Sequence, residues 1–172
     1  VYKRQMQTEV LDALIEAGRR HRVAVFGLWF EQSEDEGLGR ALRGLGVDAV
    51  VNMTHLQNGR ARSAEFAALD VPAVQTLGWR QGNADAWRAS PSGVPSPLLA
   101  TFVAVPEGWG MSDPMVISAT DKGSEQPIPE QVQALAAKLA RLGALRHMPA
   151  ADKHLALLFW NAPDGEKNLS AS

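Results

Sequence analysis

The residues best equipped for chemistry stand at the ends of apolar runs, and the sharpest of them is Glu107. It lies in the string Val105-Pro106-Glu107-Gly108-Trp109-Gly110. Pro106 is expected to hold Val105 extended, because the residue before a proline is pushed out of the helical region. Gly108 and Gly110 leave the following backbone free to turn tightly. The expected result is a carboxylate at a strand end beside the Trp109 ring, on which a large flat ligand can stack. A carboxylate in that position can take up a proton or contact a hard or borderline cation.

Other polar and aromatic residues follow the remaining apolar runs. Glu31 follows VAVFGLWF at 23–30; its plainer reading is a helix-entry charge before Ser33, its sharper one a second acid. His55, Gln57 and Asn58 follow VDAVVNMT at 47–54, and an imidazole there suits a loop hydrogen bond or a proton shuttle. Trp79, Arg80 and Asn83 follow VPAVQTL at 71–77, and Asn161 follows HLALLFW at 154–160. In an open parallel sheet, ligands sit outside the carboxyl ends of the strands. These residues are therefore expected to share one rim with Glu107 and Trp109.

Several other chemistries are excluded. Gly37-Leu38-Gly39 resembles a truncated dinucleotide fingerprint, but it lacks the third glycine and falls inside an expected helix. There is no Walker phosphate loop and no G-x-S-x-G elbow. The chain has no cysteine, hence no thiolate zinc site or cysteine nucleophile, and its four histidines lack ligand spacing. With 17 basic against 19 acidic side chains, the net charge of −2 argues against a nucleic-acid partner. No apolar run approaches the roughly 20 residues needed to cross a bilayer, and no signal peptide is evident. A cytoplasmic location is expected.

The elements that must position these residues follow from periodicity. Val10, Leu11, Leu14, Ile15 and Ala17 recur at helical spacing. A strand is expected at 23–30, then a helix opened by a Ser33/Glu36 capping box and closed near Gly46. Strands at 47–54 and 71–77 flank a helix at 60–69, and a short helix follows at 83–89. Beyond the loop at 90–97, strands are expected at 98–105 and 115–120. Pro129 opens a long helix with Val132, Leu135, Ala136, Leu139 and Leu142 on one face, before a last buried strand at 154–160. The alternation predicts an α/β fold: an open, mostly parallel sheet with helices on both faces, flavodoxin-like or periplasmic-binding-like, with an irregular middle. Both ends read as cut, with residues 1–5 set aside as a sequence-edge artefact. From the residues alone, the rim also suits a non-catalytic α/β small-molecule binding module or a scaffold segment.

Four strings together carry a family resemblance: VDAVVNMTHLQNG at 47–59, LDVPAVQTLGWRQGNADAWRASPSGVPSPLLA at 69–100, VAVPEGWGMSDPMVISAT at 103–120 and KHLALLFWNAPDGEKNLSAS at 153–172. The chain resembles the large subunit of ATP-dependent cobaltochelatase, in the family that also holds the large subunit of magnesium chelatase. Magnesium-chelatase-like relatives commonly carry Leu-Asp-Gly after the Pro-Glu pair, where this chain has Gly108-Trp109-Gly110. Related subunits also commonly have a second proline near Ala162-Pro163-Asp164-Gly165. The resemblance implies one α/β region, residues 1–172, that is a fragment of a larger multi-domain subunit and is inactive in isolation. It implies insertion of Co²⁺, as substrate, into hydrogenobyrinic acid a,c-diamide on the route to cobalamin. This subunit would bind the corrinoid or tetrapyrrole macrocycle, while two partner subunits, one an AAA+ ATPase, hydrolyse ATP with Mg²⁺. Glu107 matches the glutamate of the family's Pro-Glu motif and is expected to be catalytic, followed by His55 and Glu31. Glu107 and His55 are the expected transient metal contacts. Trp109, Trp79, Arg80, Asn83 and Asn161 are the expected macrocycle contacts.

Overall fold

Three parallel strands and one antiparallel strand form the sheet that organises the chain. In a computed structural model, which describes residues 8–158, the strands are β1 (Val50–Asn52), β2 (Ala73–Trp79), β3 (Ser112–Asp121) and β4 (Ser124–Pro127), in that spatial order. β1, β2 and β3 run parallel, and β4 folds back against β3. Lys122 and Gly123, both at positive φ, form the two-residue turn whose twist matches a hairpin. The architecture is the expected mixed α/β class with a mostly parallel sheet.

Helices cover both faces. α1 (Glu9–Arg20) and α7 (Pro129–His147) lie on one face, where Val10, Leu14, Ala17, Val132, Leu135, Ala136 and Leu139 bury Val74 and Ile117 of the sheet. Both helices show the apolar spacing expected of them, and Pro129 sits in the first turn of α7, where its missing N–H costs nothing. The other face carries α2 (Gly37–Leu42), α3 (Gly59–Leu69) and α4 (Ala84–Arg88), followed by α5 (Ser96–Leu99) and α6 (Val105–Glu107). Leu38, Leu42, Leu56, Phe66, Ala73 and Met111 form one core there, and Leu77, Trp79, Val116, Ala119 and Ile128 form a second.

The structure departs from the sequence expectations in four places. Residues 98–105 are helical, not a strand: α5 passes through a π-helical turn, Ala100–Ala104, into α6. Leu98, Phe102 and Pro106 recur four apart on the covered side, with Val103 beside Phe102, so the helical period wins over the apolar run. The wide turn sits directly ahead of Pro106, whose missing donor and bulky ring break a regular helical ladder. Val105 is accordingly helical, with φ −65° and ψ −50°, rather than extended.

The run at 23–30 forms no regular strand and joins no ladder among the described residues. The Ser33/Glu36 capping box does not form, because Ser33 turns its hydroxyl and its N–H onto Glu31 and the helix starts only at Gly37. The described part of the final run, 154–158, has no regular structure, and Leu155, Leu157 and Leu158 are exposed. Residues 159 and 160 of that run lie outside the described residues.

Candidate functional site

The carboxyl edge of the sheet is built by the loop after β1 meeting the loop before α2. The Gln57 N–H donates to Gln32 Oε1 at 2.8 Å, and Asn58 Nδ2 donates to Asp35 Oδ1 at 2.7 Å. Arg62, one turn into α3 and fully buried, clips the two loops together. Its guanidinium donates to the Glu34 carbonyl at 2.7 Å, pairs with Glu65 at 2.8 Å and lies over the Phe30 ring at 4.9 Å. Glu65 in turn accepts the Gly39 N–H at 2.8 Å. This clip is not among the residues expected from the sequence. Its signal is an Arg and a Glu three apart amid Ala61 and Phe66 on a helix face that must be buried.

His55 is exposed at this edge, its ring edge-on to Phe102 with centroids 5.2 Å apart. Glu31, also exposed, accepts from the Ser33 N–H at 3.1 Å and the Ser33 hydroxyl at 2.8 Å. Those two donors, the backbone one first, hold its carboxyl below the usual range. Glu31 is therefore better fitted to remain an anion than to collect a proton near neutrality. Behind this edge, Asn52 and Gln75 are paired in register on β1 and β2 and joined by a 2.8 Å hydrogen bond.

The expected macrocycle contacts on β2 and beyond divide. Trp79 is buried at 6 % exposure in the core with Leu77, Val116 and Ile128, so its ring is filling rather than platform. Asn83 caps α4 by accepting the Ala86 N–H at 3.0 Å. Arg80 is exposed beside it. Asn161 lies outside the described residues.

Glu107 stands elsewhere. It ends α6, five residues ahead of β3, and its exposed carboxylate borders an open cleft of about 790 Å³. Asp70, Val71 and Pro72, which lead into the amino end of β2, share that cleft with Trp109, Arg146 and Lys153. Arg146 donates to the Asp70 carbonyl, fixing the floor of the cleft. Trp109 is half-buried and packs on the first residue of α3, Gly59. The single rim is therefore corrected: His55 and Glu31 stand at the carboxyl edge of the parallel strands, Glu107 near their amino edge. The cause is the helical course of 96–107, which brings Phe102 to His55 and carries Glu107 past it before β3 begins.

Among the described residues, no group of three or more His, Asp or Glu side chains is gathered as a metal cage. A carboxylate in an open cleft suits a passing contact with a cation or a proton rather than permanent coordination.

The model of the CobN/magnesium chelatase family matches residues 2–172. The chain belongs to that family. No curated protein and no solved structure matches it. Membership gives the chain a chelatase-type role, metal insertion into a tetrapyrrole. Within this family member, two of the resembling strings meet directly, since Gly59 closes the first and Trp109 belongs to the third. Among the described residues no helix is long and apolar enough to cross a membrane.

Proposed function

We propose that this chain is part of the macrocycle- and metal-binding subunit of a cobaltochelatase, which inserts Co²⁺ into hydrogenobyrinic acid a,c-diamide in cobalamin biosynthesis. The observation that carries the reading is the family match over residues 2–172, within which Pro106-Glu107 ends a helix over an open cleft. Gly108-Trp109-Gly110 in place of Leu-Asp-Gly favours the cobalt branch over the magnesium one. ATP is hydrolysed on an AAA+ partner and a second partner subunit, in keeping with a sequence that lacks a phosphate loop. The location is cytoplasmic.

Insertion requires the cation to shed water over the ring face and the ring nitrogens to lose their protons. Glu107 is the group that serves deprotonation. Exposed and presented at a helix end, it accepts a ring N–H proton and touches the incoming cation in passing. Trp109 borders the same cleft and offers the uncovered part of its ring to the macrocycle edge. His55, Glu31 and Arg80 belong to the carboxyl edge, so they serve metal or macrocycle at a second surface of the subunit rather than at the Glu107 cleft.

The test is reconstitution of the full-length subunit with both partners, ATP and the diamide, followed by absorption of the metallated ring with Co²⁺ or Mg²⁺. Cobalt-dependent, ATP-dependent product is expected. Insertion of Mg²⁺ into a porphyrin with no activity on the corrinoid would overturn the cobalt reading.

A further inference from the structure

Among the described residues, the backbone groups of residues 24–30 lack hydrogen-bond partners. Val23 N–H reaches the Gly18 carbonyl at 2.8 Å, but none of the next seven N–H groups has a backbone or side-chain acceptor among the described residues. Directly across stands β1, which among the described residues is laddered only on its β2 side. Val50 N–H goes to the Pro72 carbonyl at 2.8 Å, so by strand alternation the N–H and C=O of Val51 point the other way, to a free edge. Unpaired backbone groups are the exception in a folded chain, and two facing rows of them form an incomplete ladder.

The side chains of the segment already obey a strand's period. Val23 and Val25 pack with Ala49 and Val51 against the α1/α7 core. Gly27 lies against Leu11 of α1, so closely that a Cβ there would stand 2.5 Å from Leu11 Cδ2. Leu28 and Phe30, of the opposite parity, pack into the core on the α3 face. Residues 23, 25 and 27 thus face one layer and residues 28 and 30 the other, the alternation of a central strand over those five positions. Between segment and sheet lies a cavity of about 940 Å³, whose walls include Val25, Leu28, Val51, Asn52 and Leu139. On the outside, Phe26 and Trp29 are 51 % and 64 % exposed.

We propose that residues 23–30 form a strap that closes on the free edge of β1 as the fifth strand of the sheet and the fourth parallel one, and that the cavity exists only while the strap stands open. Closure satisfies both rows of backbone groups without reversing any side chain, so it needs translation rather than refolding. Both ends are anchored. Val23 is held by the Gly18 carbonyl after the left-handed turn at Arg22, φ 61°. At the other end, Gln32 receives the Gln57 N–H and Arg62 holds the carbonyls of Glu34 and Asp35. The strap therefore moves between fixed posts, and it leads straight into Glu31, so closure shifts that carboxylate relative to His55.

Amide-resolved hydrogen exchange on the intact polypeptide tests this without any substitution. The expected result is that amides 24–30 and Val51 exchange together, at least about tenfold slower than unstructured chain yet faster than the β2 amides, because a strap opens below the global unfolding free energy. Exchange of 24–30 at unstructured rates, with β2 protected, would show that no closed state forms and would overturn the proposal. Exchange of 24–30 as slow as β2 would show a permanent strand and would overturn the movement.

Discussion

A Cβ placed on Gly59 would stand 2.2 Å from Cε2 of Trp109, so the first residue of α3 is open to no side chain while that ring is in place. The contact ties the loop after β1 to the turn that follows Glu107. Gly59→Ala should therefore destabilise the chain by about 1–3 kcal/mol, although alanine is otherwise the better helix former. Denaturant unfolding checks it: the loss should vanish in a Trp109→Ala background, where the obstacle is gone. An equal loss in both backgrounds would mean that the ring is not the obstacle.

The Arg62–Glu65 pair is buried on both sides, with side-chain exposures of 0 % and 8 %. Arg62→Met leaves Glu65 as a buried anion short of its cation, a change that typically costs about 3–5 kcal/mol. Arg62→Met with Glu65→Gln should recover much of that loss, since the amide oxygen still accepts the Gly39 N–H. The denaturation midpoints of the single and double variants decide the matter. A double variant no more stable than the single would place the cost in the lost loop carbonyl contacts instead.

Asp113 carries a pH signature. Lys138 Nζ donates to it at 2.6 Å, and that bond first, with the ammonium charge, lowers its pKa below the ordinary value against a smaller opposing effect of burial. A carboxyl depressed in the folded state adds stability above its unfolded pKa, and that stability is lost as pH falls through the folded pKa. The pair is partly exposed, so the expected contribution at neutral pH is only about 0.2–1 kcal/mol. Asp113→Asn should remove it while tolerating the left-handed backbone there, φ 51°. Thermal unfolding of the two proteins should differ at pH 7 and converge in strong acid. A gap that persists in acid would contradict the assignment.

Trp109→Ala bears on placement of the macrocycle. Because the ring is half-buried against Gly59, its loss should lower stability by about 3 kcal/mol as well as weaken ring binding. Calorimetric unfolding and a fluorescence titration of the macrocycle, both on the full-length subunit, separate the two effects. Unchanged affinity in a folded variant would leave Trp109 as a packing residue only.

Much of the fold is legible in the sequence because the period is clean. α1, α3, α7 and the parallel strands β1 to β3 sit within or close to the runs that predict them. The helical course of 96–107 is not legible, because an apolar run of that length satisfies either period and Pro106 suggests extension as readily as a helix turn. β4 escapes because Ser124-Glu125-Gln126-Pro127 offers no apolar alternation; its cue is Lys122-Gly123, a turn pair rather than a strand. The misread period at 98–105 also displaces the site. Once Glu107 ends a helix instead of a strand, it leaves the rim that His55 and Glu31 occupy, whereas its exposure beside Trp109 is as expected.

Cobalt insertion by Glu107→Gln, in the full-length subunit reconstituted with its partners and ATP, tests the central claim most directly. Glutamine keeps the shape of the side chain but neither takes up a ring proton nor offers a full charge to the cation. Turnover should fall by about 10²–10⁴-fold, the usual contribution of a general base, with macrocycle binding nearly unchanged. Near-normal turnover of the variant would contradict the account.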